Sequence, residues 1–308
     1  LRLEEVALSN PSLRGVILEG HGIFTWGDSS KSCYENTLRT LQQAADWLAA
    51  NNNEPAFGGA RYESAVSAED RQTVAAALMP LLRGKISREQ MKLGHFDDSP
   101  ALLEFVNSRD LAPLAELGTS CPDHFLRTKI RPLVVDFNPG AENLQDELAR
   151  CVGSLEPQLD AYRQMYADYY QRCKRDSSPA MRDPNPVVYL IPGVGMITFA
   201  KDKATARIAG EFYINAVNVM REANGVSQYK ALPEQEAFDI EYWLLEEAKL
   251  QRMPKPKTLA GRIAFITGGA GGIGKATAVR LAREGACVML ADIDSEALQS
   301  AVSELREA

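Results

Sequence analysis

The sequence predicts an α/β protein in two parts: αβα layers to about residue 252, then the opening half of a doubly wound parallel sheet. Three observations predict it. A strand, glycine turn, strand and helix recur in the same order twice, a glycine-rich turn joins a strand to a helix near residue 270, and a Pro/Lys stretch separates the two parts. With 308 residues, 45% hydrophobic and 24% charged, the chain has the balance of an ordinary globular protein of about two domains.

Composition also narrows the function classes. Forty-one acidic against thirty-four basic residues give a net charge of −7, which offers no general attraction for nucleic acid or an anionic membrane surface. The most apolar segments, around 187–200 and 263–273, are broken by Gly and Pro and fall short of the roughly 20 residues of a membrane span. Five scattered cysteines with no CxxC pair and no secretory leader fit a reducing, cytoplasmic compartment. Leu1 in place of Met, and a polar helix at 295–308 that stops in mid-pattern, give the expectation that this is a piece of a longer protein.

From the start of the chain, apolar runs Gly15–Leu18 and Ile23–Trp26 flank Glu19-Gly20-His21-Gly22 and read as two strands or one bent strand. Ser29 or Ser30 caps a helix from Lys31 to about Ala50, with Leu38, Leu41, Ala45 and Leu48 at helical spacing. Ser67 and Asp70 open another helix to about Leu82, whose apolar face carries Val74, Leu78, Leu81 and Leu82. Helical segments continue from Pro100 to Leu117, Leu133–Phe137 is a strand, and Ala141–Lys174 is helical with a break near Gly153–Pro157. Val187–Ile191 and Met196–Ala200 form a strand pair across Pro192-Gly193-Val194-Gly195. A helix over Asp202–Ala223 follows, then another from Pro233 to about Gln251 with Phe238, Tyr242, Leu245 and Ala248 on one face.

Residues 17–27 align with 190–200 at a constant offset of 173, with both Gly and the Thr identical and aromatic facing aromatic, and each copy runs into a helix. Where the first copy has His21, the second has Val194. Met253-Pro254-Lys255-Pro256-Lys257 is stiff and solvated. The domain reading is therefore 1–55 as the end of one module, 56–252 as a second and degenerate copy, 253–261 as a linker, and 262–308 as the start of a nucleotide-binding unit.

In that last unit the strand Arg262–Thr267 runs into Gly268-Gly269-Ala270-Gly271-Gly272-Ile273-Gly274 and a helix from Lys275. Backbone N–H groups at such a helix start point at a pyrophosphate, and absent Cβ atoms allow its close approach. A second strand, Ala286–Ala291, ends in Asp292, eighteen residues after Gly274, a spacing suited to an acid that binds the adenosine ribose. With Ile293, Asp294 and Ser295 following and no cation there, Asp292 favours NAD over NADP. Candidate cofactor-binding residues are thus Gly268, Gly272, Ile273, Gly274 and Asp292. The TGxxxGxG pattern resembles the short-chain dehydrogenase/reductase family, and the unit reads as the opening βαβα of a Rossmann domain. That family's chemistry rests on a later Ser and Tyr-x-x-x-Lys, none of which follows Asp292; Tyr170 to Lys174 lies upstream and is an ordinary helical pair. No catalytic residue is assigned.

His21 lies between two glycines at a strand break. By spacing alone it is a structural loop residue or a ligand, since His21, His95 and His124 make no HxH or HxxxH pair. Gly15 to Gly27 resembles the class II aldolase/adducin family, in which the histidine of the His-Gly pair is a zinc ligand. The resemblance gives His21 that role and puts the family's HxH unit upstream of Leu1. It implies zinc that stabilises the enediolate of a hydroxy-ketone during carbon–carbon cleavage. Cys121, Asp123, His124, Arg127 and Lys129 crowd thiol, acid, imidazole and cations into nine residues, as a sugar-phosphate pocket or as a capped turn with salt bridges.

The order of modules resembles the bifunctional rhamnulose-1-phosphate aldolase/short-chain dehydrogenase proteins over nearly the whole chain. That implies sugar-phosphate and aldehyde substrates, a homo-oligomer, and cleavage to dihydroxyacetone phosphate and L-lactaldehyde, the aldehyde then being processed with NAD. The rivals are an adducin-like assembly module without metal and a plain dehydrogenase with an unrelated N-terminal region.

Overall fold

A computed structural model of the chain describes residues 2–18, 22–62, 66–252 and 254–307. Helix α1 (Arg2–Ser9) precedes an antiparallel hairpin of β1 (Gly15–Leu18) and β2 (Gly22–Thr25). The Ser29 hydroxyl accepts from the Ser32 N–H and starts α2 (Ser30–Asn51). Next come α3 (Ala68–Ile86), β3 (Leu93–Asp97), α4 (Pro100–Val106), α5 (Leu111–Leu117), α6 (Phe125–Thr128), β4 (Leu133–Val134) and α7 (Leu144–Cys173). Strands β5 (Val188–Ile191) and β6 (Gly195–Ala200) lead to α8 (Lys203–Val226), α9 (Glu234–Glu241) and α10 (Leu244–Arg252). The chain then adds β7 (Ile263–Thr267), α11 (Gly272–Arg283), β8 (Cys287–Ala291) and α12 (Ser295–Glu307).

The central sheet has the order β3-β6-β5-β4, with only β4 and β5 parallel. Both its faces are covered, so β5 is buried along its whole length, and its side chains divide by parity. Val188 and Leu190 join Phe105, Tyr213 and Val217 on the side of α4 and α8, whereas Tyr189 and Ile191 join Leu78, Leu82, Leu155 and Leu159 on the side of α3 and α7. These are the αβα layers expected from the sequence.

The two copies also agree in geometry. Leu18 pairs with Gly22 as Ile191 pairs with Gly195, and the remaining hairpin pairs follow at the same 173-residue offset. Trp26 N–H donates to Arg14 O as Phe199 N–H donates to Val187 O. The caps Ser29 and Asp202 correspond too, with φ of −146° and −148°.

Several expected elements differ. Helix α7 is continuous through Pro157. An interior proline costs about 3 kcal/mol, but Leu155 and Leu159 on either side are fully buried, and burial of each contributes about 1.5–3 kcal/mol. The strand expected over 133–137 keeps only two ladder residues, because side chains take over beyond them: Asp136 N–H donates to Gln158 Oε1 and Asn138 N–H to Glu147 Oε1. Leu81 is exposed, since the buried ridge of α3 runs through Val74, Leu78 and Leu82. The helix expected over 233–251 breaks at Tyr242, which stacks on Phe238, and this leaves Leu245 exposed. Strand β3 had no counterpart in the sequence reading.

Strands β7 and β8 are adjacent and parallel, Ile263 opposite Cys287 through Thr267 opposite Ala291, with α11 crossing between them. This is the βαβ start expected of a doubly wound sheet. Part of the Pro/Lys segment is folded: Leu259 N–H donates to Glu284 O, and Arg83 donates from Nε to Lys92 O at 2.7 Å and from Nη2 to Gly261 O at 2.9 Å. Among the described residues no helix is long and apolar enough to cross a membrane.

Candidate functional site

The turn after β7 is built by its glycines. Gly268 adopts φ +65°, and Gly271 N–H closes the turn onto Gly268 O at 3.1 Å. A Cβ on Gly274 would lie 2.1 Å from Gly268 O, so only glycine lets α11 start against the loop. Gly272 has nothing within 4 Å of its Cβ direction, and Ile273 is almost fully exposed. Lys275 N–H makes the first intrahelical bond, to Gly271 O, and the N-cap Gly271 supplies no side chain. The N–H groups of Gly272, Ile273 and Gly274 therefore form an uncapped, positive helix end facing open space, the arrangement that suits an anion such as a pyrophosphate.

Asp292 stands at the end of β8, beside this loop. Its Oδ2 accepts from Ala270 N–H at 3.0 Å and its Oδ1 from Asp294 N–H at 3.2 Å. The bonds from Asp294 and then Ala270 hold its carboxyl below the usual aspartate range, so it is anionic at neutral pH. The five candidate residues Gly268, Gly272, Ile273, Gly274 and Asp292 are thus gathered at the carboxyl ends of two neighbouring parallel strands, and the open glycine cradle fits a dinucleotide.

Zinc finds no comparable fit here. His21 lies outside the described residues, and among the described residues no group of three His, Cys, Asp or Glu side chains is assembled to hold a metal ion. At the equivalent position Val194 is fully buried in the cluster containing Ile191, Ile197 and Phe137. His95, on β3 opposite Thr198, has Lys203 Nζ at 3.2 Å from its Nδ1; burial first and this cation second lower its pKa.

In the polar segment 118–129, Asp123 and Arg127 are exposed while His124 and Lys129 are buried. Cys121 caps the short turn Pro122–His124 without a side-chain bond. His124 is buried edge-on to Phe212 at 5.2 Å, and burial lowers its pKa. Lys129 is buried, with Nζ 3.7 Å from the centre of the Tyr166 ring and donating to Asp183 O. Sequence reasoning missed its surroundings. Glu241, 1% exposed, accepts from Tyr166 at 2.5 Å and Tyr169 at 3.2 Å, and Tyr242 lies 2.7 Å from the Tyr166 hydroxyl. Burial pulls Lys129 down to about 8 and pushes Glu241 up. The spacing of Tyr162, Tyr166, Tyr169 and Tyr170 marks an aromatic face of α7, but nothing local announces the acid that comes to it from α9.

Comparison with known proteins gives two family matches: residues 73–250 to the model described as aldolase class II, second domain, and residues 262–308 to short chain dehydrogenase. An uncharacterised oxidoreductase of Bacillus subtilis, YuxG, is 35% identical over 307 residues, 99% of this chain and 44% of the relative. The 2,5-dichloro-2,5-cyclohexadiene-1,4-diol dehydrogenase LinX of Sphingobium indicum is 50% identical over 50 residues, 16% of this chain and 20% of the relative. Levodione reductase of Leifsonia aquatica is 50% identical over 46 residues, 15% of this chain and 17% of the relative. The chain thus spans under half the length of these curated relatives.

Proposed function

The chain belongs to the family of the class II aldolase second domain, continued by a short chain dehydrogenase domain, and on that premise we propose that it is part of a bifunctional aldolase and oxidoreductase. The whole protein cleaves a sugar 1-phosphate, L-rhamnulose 1-phosphate in this reading, to dihydroxyacetone phosphate and lactaldehyde, and processes the aldehyde with NAD. The observation that carries the redox half is the uncapped N–H cradle of Gly272, Ile273 and Gly274 beside anionic Asp292. When bound, NAD supplies the hydride acceptor. Gly268 and Gly274 shape the loop, the helix N–H groups bind the pyrophosphate, and Asp292 accepts from the ribose hydroxyls while repelling a 2′-phosphate.

The metal-dependent half draws on less of this chain. One histidine, His21, does not make a zinc site, so the carbon–carbon step belongs to the whole protein and its further ligands. The second copy, with Val194 buried, supports the fold rather than a metal. Small-molecule substrates, a homo-oligomeric assembly and a cytoplasmic location complete the reading.

The test uses the full-length protein. Asp292→Ala is expected to weaken NAD at least tenfold and narrow the preference over NADP while sparing cleavage. His21→Ala is expected to lower zinc content and cleavage together while sparing NAD binding. Unchanged zinc and cleavage in His21→Ala would remove the ligand role, and unchanged nucleotide preference in Asp292→Ala would remove the ribose role.

A further inference from the structure

The duplication provides an internal control for exposed apolar residues, because each one in the first copy has a counterpart 173 residues on. Ile17 is 72% exposed, and its counterpart Leu190 is fully buried in the central sheet. Phe24 and Trp47 are exposed where Ile197 and Met220 are likewise buried. For these three the second copy shows the cover: β3, β4 and the helices packed on the sheet.

The opposite face of α2 has no such explanation. Tyr34, Leu38 and Leu41 are 64%, 48% and 51% exposed and recur at i, i+4 and i+7, so they form one stripe. The counterparts of Tyr34 and Leu38 on α8 are Arg207 and Glu211, a solvated ion pair, and that of Leu41 is Ile214, partly buried. Cys33, Asn36, Thr37 and Thr40, on the other side of α2, correspond to the core-facing row Ala206, Ala209, Gly210 and Tyr213. Completing the module as the second copy is completed therefore leaves Tyr34 and Leu38 in water, with Leu41 at the edge of the cover.

We propose that the Tyr34–Leu38–Leu41 stripe of α2 is the contact by which two copies of this chain associate, the same stripe meeting itself antiparallel about Leu38. Three features of the structure select a second copy as the occupant. The stripe continues through Ala45 and Leu48 into the groove where α2 already meets α8, its own counterpart. There Asn52 Oδ1 lies 1.9 Å from where a Cβ on Gly225, the counterpart of Asn52, would be, so α2 and α8 meet at equivalent positions at their C-terminal ends. An antiparallel pairing centred on Leu38 also sets Tyr34 beside the second copy's Leu41, Lys31 beside its Asp46 and Arg39 beside its Glu35, each contact made twice as an isologous interface requires. The inference gives the expected homo-oligomer an interface and does not rest on the catalytic reading.

The experiment measures the mass of the full-length protein by sedimentation equilibrium at micromolar concentration. Wild type is expected at twice the mass of one chain. Tyr34→Arg/Leu38→Glu, which gives α2 the pair that α8 carries, is expected at the single mass with unchanged helical circular dichroism. Ile17→Lys, on the other face, is expected to stay at the double mass. Should the double variant lose helicity, Leu38→Cys replaces it: a short bismaleimide is expected to join Leu38→Cys chains above the wild-type background and to leave Ile17→Cys chains at background. A single-mass wild type would assign the stripe to another polypeptide and overturn the proposal. So would a folded double variant at the double mass, dissociation by Ile17→Lys, or cross-linking of Leu38→Cys no better than background.

Discussion

Thr25 and Thr198 make the same bond 173 residues apart: each hydroxyl donates to the carbonyl eight residues ahead, Cys33 O at 3.4 Å and Ala206 O at 2.7 Å. In both copies a threonine leaving a strand ties the first turn of the next helix back to the sheet. Only Thr198 is fully buried, and Thr25 also has the Thr37 hydroxyl at 2.6 Å. Thr198→Val is therefore expected to lower unfolding free energy by about 1–2 kcal/mol, with a smaller loss for Thr25→Val. Denaturant titration of both variants checks the order.

Two neighbouring glycines separate loop geometry from ligand contact. Gly274→Ala drives a Cβ into Gly268 O and is expected to cost about 1–3 kcal/mol and to abolish dinucleotide binding. Gly272→Ala meets open space, so thermal stability is expected to hold while NAD affinity falls. Calorimetric melting and NAD titration of each variant in the full-length protein report the two effects independently.

Lys129 carries a pH signature. Its folded pKa of about 8 lies below the ordinary 10.5, so the unfolded chain binds more protons at this group between those values, and Lys129's own contribution to stability is expected to rise with pH across pH 8 to 10.5. Lys129→Met is expected to remove that rise. Its backbone, at φ 62° and ψ −177°, occupies a region favoured by glycine. In Lys129→Gly the rise is expected to vanish as well, with part of the loss of packing offset by released strain. Urea midpoints at pH 7.5 and 10 measure the difference.

Arg83 ties β3's approach to the start of β7 by two bonds. At about 1 kcal/mol, loss of the bond to Gly261 O in Arg83→Ala is expected to raise opening of the 254–262 segment roughly fivefold. Tryptic cleavage after Lys257 reports it, because the Lys255 peptide bond precedes Pro256 and is spared.

Much of this was legible from local chemistry. The glycine turn, both hairpins and the cap at Ser29 depend on residues within a few positions of one another, as does the parallel pair's strand–turn–helix order. The repeat was visible because its turns tolerate few residue types. What stayed hidden depends on distant partners: α7 runs through Pro157 because the sheet buries its flanks, the strand at Leu133 is cut short by Gln158 and Glu147, and the Tyr166–Glu241 bond joins residues 75 positions apart. His21, the most specific metal candidate, lies outside the described residues.

Val194 stands in the second hairpin where His21 stands in the first, and its neighbours Ile191, Ile197 and Phe137 close around it. A histidine placed there alone would sink an imidazole into oil with no ion to greet it. Opening this lobe to a polar group therefore needs several substitutions at once, which makes its solidity hard to trade away.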